Sequence, residues 1–239
     1  GFEKTFVMTN TCPVCGSKLI RKDDEAAHFC INPDCDKKKV EALIHFASRD
    51  AMDIEGLGDK IVEEFYELGF IKTIDDIYCL DRYSEEIKLM EGYGEKSVQK
   101  LIDSIEKSKE NSLEKLLFGL GIKEVGAKGA KVIAKRFKTM DAIASASIDD
   151  LLNIKDVGPV MSESIYNYFK DESNQNLLTT LAMLGLNKLG AIAIPAVDQL
   201  QEHDLEYRFD SAGVSAIVCT ADGDVARQVD IAAEKCPKL

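Results

Sequence analysis

The sequence predicts a mainly α fold, opened by a small four-cysteine zinc ribbon and closed by a short α/β tail. Three observations carry this. Four of the seven cysteines form two short-spaced pairs near the start of the 239-residue chain. A glycine-terminated pentapeptide recurs four times between residues 54 and 158, each copy followed by an amphipathic helical stretch. The last fifty or so residues instead alternate strand-like and helix-like runs in the order βαβα.

The cysteine cluster reads Cys12-Pro13-Val14-Cys15, then fourteen residues, then Cys30-Ile31-Asn32-Pro33-Asp34-Cys35. Each pair makes a tight turn with both sulfurs on one side, and the intervening residues form a ribbon that brings the turns together. Four thiolates so arranged close a tetrahedral zinc site with no open position for substrate, which makes the site structural. Pro13 with Gly16, and Asn32-Pro33-Asp34, supply the turn chemistry. Two disulfides or four unpaired thiols are the other readings, and disulfides require an oxidising compartment to which no segment directs the chain. His28 is an alternative ligand to Cys30 but fits better as a residue on the ribbon face. Cys79, Cys219 and Cys236 stand alone and read as bystander thiols.

The pentapeptides are Ile54-Glu55-Gly56-Leu57-Gly58, Met90-Glu91-Gly92-Tyr93-Gly94, Ile122-Lys123-Glu124-Val125-Gly126 and Ile154-Lys155-Asp156-Val157-Gly158, their last glycines spaced by 36, 32 and 32 residues. The helices that follow show apolar spacing at Ile61/Phe65/Leu68, Val98/Leu101/Ile102/Ile105, Ala130/Ile133/Ala134/Phe137 and Met161/Ile165/Tyr168. A shorter helical stretch precedes each copy, as at Ser147-Ile148-Asp149-Asp150 with its N-cap signature. Each unit therefore reads as helix, hairpin, helix. Lys72-Thr73-Ile74-Asp75-Asp76-Ile77 is echoed 66 residues later by Lys138-Thr139-Met140-Asp141-Ala142-Ile143, which groups the four units into two tandem pairs.

Such a hairpin suits phosphate. Glycine admits positive φ and leaves no side chain between backbone and ligand. Successive N–H groups and the positive end of the next helix then face one oxygen. Candidate contacts are Gly56, Gly58 and Lys60; Gly92, Gly94 and Lys96; Gly126 and Lys128; and Gly158. The fourth unit has Pro159 and Val160 where the others carry Lys at the second position after the glycine, so it should grip less. Base edges are not addressed, which implies binding of double-stranded DNA without sequence preference. The bland alternative makes the glycines helix caps in an α bundle.

Charge argues the other way. The chain carries −12 overall, and residues 1–190 still hold 33 acids against 26 bases. Long-range steering would repel a polyanion, so contact must come from local basic or dipolar features. No run approaches the length of a membrane span and no secretory signal is present, so a cytoplasmic, nucleoid-associated monomer is expected. The opening Gly1-Phe2-Glu3-Lys4 lacks an initiator Met and reads as a start inside a longer chain.

The run from Cys12 to Cys35, followed by His45-Phe46-Ala47-Ser48-Arg49-Asp50-Ala51-Met52-Asp53-Ile54-Glu55-Gly56-Leu57-Gly58, closely resembles the bacterial NAD-dependent DNA ligases, and the likeness extends over about residues 1–189. The resemblance implies nick sealing in replication and repair, with NAD and magnesium used by the intact enzyme and zinc held by Cys12, Cys15, Cys30 and Cys35. It also implies a Lys-x-Asp-Gly nucleophile that takes up AMP. No Lys-x-Asp-Gly occurs in these 239 residues, so no catalytic residue carries over and this chain alone is expected to be inactive. The expected organisation is a remnant of an OB-fold linker at 1–8, the zinc finger at 9–40, the hairpin array at 41–187 and a foreign α/β fragment at 188–239. That tail resembles an internal piece of an adenylate-forming acyl-CoA synthetase, through Tyr207-Arg208-Phe209-Asp210-Ser211-Ala212-Gly213 and its neighbours. A free-standing DNA-binding repair scaffold and an acyl-CoA synthetase fragment are the competing functional readings.

Overall fold

A computed structural model describes residues 9–21 and 27–188. The resemblance of the tail, and that of residues 1–8 to a linker remnant, fall outside the described residues.

The chain enters as a ribbon of β1 (Leu19–Arg21) and β2 (His28–Cys30), antiparallel with Leu19 opposite Cys30, Ile20 opposite Phe29 and Arg21 opposite His28. Strands this short bury little, and Ile20 and Phe29 remain about 40% exposed, so the ribbon depends on its cysteines for order. Cys35 then serves as N-cap of α1 (Asp36–Ala47), the carbonyl of Cys35 accepting from the N–H groups of Lys38 and Lys39.

The first pair of hairpins follows. Unit one joins α1 to α2 (Asp59–Glu67), and a connecting turn with α3 (Ile74–Ile77) leads into unit two, α4 (Ser84–Lys88) and α5 (Glu95–Ser108). The second pair comprises α6 (Leu113–Gly119) and α7 (Ala127–Phe137), the short α8 (Met140–Ala144), then α9 (Ile148–Leu152) and α10 (Pro159–Lys170), with α11 (Glu172–Lys188) beyond. The 66-residue echo holds structurally. Thr73 is the N-cap of α3, and Thr139 caps α8 by accepting from the N–H of Ala142 at 3.2 Å.

Each pair owns a core. Phe46, Phe65, Ile71, Ile77, Leu80 and Ile87 are fully buried in the first, and Leu117, Ile133, Ile143, Leu151 and Ile165 in the second. Val98, Leu101 and Ile105 on α5, and Ala130, Ile133 and Ala134 on α7, face inward as their spacing required. On α2 the buried residues are Val62, Phe65 and Tyr66. Leu68, taken from spacing as core, is instead the C-cap and 52% exposed, because the helix ends before the stripe can turn it inward.

The two cores meet at α1 and α6. His45 Nε2 lies 2.8 Å from the Phe118 carbonyl and its ring stands edge-on to Phe118. A Cβ on Gly119 would come within 3.2 Å of the Phe46 ring, so glycine eases this close approach of the helices. The Asn111 amide donates back to the Met52 carbonyl at 2.8 Å.

Candidate metal centre and nucleic-acid interface

In the ribbon, the Sγ atoms of Cys12, Cys15, Cys30 and Cys35 all lie within 4.8 Å of one another. Cys12–Cys35 is 3.9 Å and Cys15–Cys30 is 3.4 Å. Sulfurs at the corners of a tetrahedron with zinc–sulfur bonds of about 2.3 Å stand about 3.8 Å apart, whereas a disulfide needs about 2.05 Å. The four thiols therefore fit a zinc ion and do not fit two disulfides. Gly16, with φ +71°, closes the first knuckle by donating to the Cys12 carbonyl. Hydrogen bonds from Ser17, side chain first and backbone second, bring the Cys15 thiol down to about 6, a bias toward the thiolate that a metal requires. Desolvation pushes Cys30 up to about 11, so that thiol depends on the metal itself for deprotonation. His28 is outside the cluster and on the ribbon, as its sequence position implied, with Nδ1 buried and unpartnered among the described residues.

The four pentapeptides adopt one backbone geometry. The N–H of the fourth residue donates to the carbonyl of the first in every copy: Leu57 to Ile54, Tyr93 to Met90, Val125 to Ile122 and Val157 to Ile154, at 3.0–3.2 Å. The third residue takes positive φ each time: Gly56 +93°, Gly92 +85°, Glu124 +66° and Asp156 +70°. Negative φ at the second residue with positive φ at the third marks a type II turn. The first and fourth residues point their apolar side chains into the cores. Ile54, Leu57, Ile122, Val125, Ile154 and Val157 are buried, while Met90 and Tyr93 of unit two are only partly covered.

One expectation from sequence is corrected here. The final glycines Gly58, Gly94, Gly126 and Gly158 do not occupy the left-handed region. They are extended N-caps with φ of −78°, −121°, −79° and −94°. Their common feature is space, since a Cβ at any of the four would meet nothing within 4 Å. Glycine there keeps the mouth of the helix uncovered. The conformational demand sits two residues earlier, at Gly56 and Gly92.

The units differ in what they present at that mouth. In unit three the N–H groups of Gly126, Ala127 and Lys128 have no acceptor among the described residues. In unit two the Gly94 N–H is taken by Ser97 Oγ at 2.9 Å. Unit four has Pro159 as the first helical residue and so lacks one donor, and its Val160, where the others place lysine, is 62% exposed. Units one and two carry carboxylates, Asp59 and Glu95, at the first helical position, where they occupy the same positive end that an anion would use. Lys60, Lys96 and Lys128 are all exposed at the second helical position.

Comparison with known proteins agrees with this architecture. Residues 11–36 match the NAD-dependent DNA ligase C4 zinc finger domain, residues 48–107 a SAM-like helix-hairpin-helix tandem and residues 115–178 a helix-hairpin-helix motif. In order and in kind these matches resemble the zinc-finger and helix-hairpin-helix region of the NAD-dependent DNA ligases. A DNA ligase of Oceanobacillus iheyensis is 46% identical over 186 residues, covering 78% of this chain and 28% of that protein. The Bacillus subtilis DNA ligase is 44% identical over 189 residues, 79% of this chain and 28% of the relative. That of Listeria innocua is 44% identical over 207 residues, 87% of this chain and 30% of the relative. The chain thus spans less than a third of the length of these ligases.

Proposed function

We propose that this ligase region grips double-stranded DNA at a nick through its hairpins, as a monomer, while a zinc ion held by Cys12, Cys15, Cys30 and Cys35 fixes the ribbon. The observation that carries the reading is the fourfold recurrence of one turn that ends on a glycine N-cap with open space where a Cβ would stand, unit three being the plainest case, with the N–H groups of Gly126, Ala127 and Lys128 unclaimed among the described residues. Two such units per pair supply paired contacts within one chain, so no second copy is required. Backbone amides address phosphates and ignore bases, so affinity is independent of sequence and falls steeply with salt. The proposed setting is the bacterial cytoplasm, on nucleoid DNA in replication and repair. None of the described helices is long and apolar enough to cross a membrane. NAD and magnesium belong to the whole ligase reaction. With no Lys-x-Asp-Gly in the sequence, these 239 residues by themselves form no covalent adenylate with NAD and seal no nick.

Fluorescence anisotropy on nicked and intact duplexes of several sequences, with melting curves alongside, tests the binding. Gly126→Val puts a branched side chain into the open mouth and is expected to weaken binding at least tenfold with little change in melting temperature. If the glycines were only helix caps, melting would suffer and affinity at matched folded fraction would not.

A further inference from the structure

The helices that follow the four hairpins differ sharply in charge. Helix α2 has four acids and one base, α5 three of each and α10 one of each, while α7 has four bases and no acid. In a chain of net charge −12 this is a local reversal of sign. Lys128, Lys131 and Lys135 are spaced i, i+3, i+7, which places them within an arc of about 60° on α7. All three are exposed, and none forms an ion pair among the described residues. Ala130, Ile133 and Ala134 bury the other side of the helix, and a Cβ on Gly129 would lie 3.2 Å from Met161 Sδ of α10. The lysine stripe is therefore carried on a helix clamped against its partner unit, which fixes where it points.

We infer that α7 is a second phosphate track. A DNA strand held at the mouth of unit three continues along Lys131 and Lys135, which makes unit three with α7 the dominant grip of the four. The stripe runs about 10 Å from Lys128 to Lys135, the rise of about three phosphates on one strand. Elsewhere lysines on the exposed helix faces are offset by acids. On α5, Lys100 and Lys107 are accompanied by Asp103 and Glu106, and on α2 Lys60 stands with Glu63, Glu64 and Glu67. The acids beside the lysines on α5 and α2 repel the strand that those lysines would attract, whereas the α7 stripe has no acid on its helix to set against each phosphate it neutralises.

This inference rests on the duplex-binding reading, and the test separates the two. The whole chain, zinc-loaded, is titrated against a fluorescein-labelled nicked duplex over a range of salt, comparing wild type with Lys131→Gln/Lys135→Gln and with the control Lys100→Gln/Lys107→Gln. Glutamine keeps helix propensity, and a melting curve for each variant verifies the fold. The α7 double variant is expected to bind at least tenfold more weakly at moderate salt, with the slope of log K against log salt shallower by about 1.8, the equivalent of two contacts. The α5 control is expected to stay within about threefold of wild type. Wild-type binding with an α7 variant indistinguishable in affinity and slope overturns the track while leaving the hairpin reading intact, and equal losses in both variants reduce it to general charge. Absence of wild-type binding even at low salt overturns both.

Discussion

The two hairpin pairs share one backbone and differ in what they place on it. Both are built on the same type II turn, yet the first pair sets Asp59 and Glu95 at the helix starts and lodges the Gly94 N–H on Ser97. Unit three of the second pair leaves the N–H groups of Gly126, Ala127 and Lys128 unclaimed among the described residues, as unit one leaves those of Gly58, Asp59 and Lys60, but sets no acid at its helix start and backs the mouth with the lysines of α7. The first pair begins on α1, whose N-cap is the ribbon's Cys35, and α1 is tied to α2: Tyr66 donates to Asp36 at 2.7 Å, and Lys37 pairs with Glu63 at 3.0 Å. Repetition of a fold is thus separable from repetition of a task. The geometry is shared, while charge separates a pair that, on the proposed reading, anchors from a pair that grips.

Removal of the metal should divide the pairs most clearly. Structural zinc contributes on the order of 10 kcal/mol, far more than three-residue strands can replace. Chelation is therefore expected to abolish amide protection in residues 11–21 and 27–35 and to lower it along α1 and α2, while α6 to α10 keep theirs. Hydrogen exchange read by mass spectrometry checks this, and equal losses in both pairs would make the molecule one cooperative unit and end the distinction.

Next in size is the turn itself. Gly56 and Glu124 hold the same backbone position with opposite chemistry. At φ +93°, Gly56→Val is expected to cost about 1–2 kcal/mol or more. At φ +66°, Glu124→Gly relieves a similar strain against a glycine entropy cost of about 0.5–1 kcal/mol, and should be neutral or slightly stabilising. Urea melts of the two variants give the signs directly, and a stabilised Gly56→Val would mean the turn geometry of unit one is wrong.

The smallest expected effect concerns acid. Burial opposes the charge on Asp76, but the N–H groups of Lys72 and Thr73, the Thr73 hydroxyl and nearby Arg82 outweigh it and hold the carboxyl below its ordinary 3.8. A carboxyl whose folded value is depressed contributes stability above its unfolded value and loses it as pH falls through the folded one. The repeat-related residue in the second pair is Ala142, which has nothing to titrate. Asp76→Asn should therefore flatten the acid limb below about pH 4 for probes in the first pair alone. A changed acid limb in the second pair would show that the two cores communicate.

Much of this was legible in the sequence because it is encoded locally. Cys12, Cys15, Cys30 and Cys35 meet through turns of fixed span, and the pentapeptide with its trailing amphipathic stretch locates all four hairpins. What misled was the glycine shared by every copy. Gly58, Gly94, Gly126 and Gly158 drew attention to the cap, while the left-handed residue lay in the column that reads Gly, Gly, Glu, Asp. Glu124 and Asp156 accept that conformation because the turn around them is held by packing, which no pattern displays. Ser97 closing on Gly94 was hidden for a similar reason, since only the folded geometry shows which acceptor reaches which donor. The α7 lysines were visible all along but diluted by a strongly acidic chain.

Cys35 is both a thiol of the cluster and the N-cap of α1. Four thiolates around one dication leave a centre of net charge −2, so loading the ribbon with metal makes that end of the molecule more negative. The positive pole of α1 offsets part of that charge, while Lys37 and Lys39 are already paired with Glu63 and Asp34. A duplex approaching the protein would thus find a repulsive ribbon at one end and an attractive helix in the second pair. On the proposed duplex-binding reading, the metal, though a cation, would orient the molecule on a polyanion by pushing.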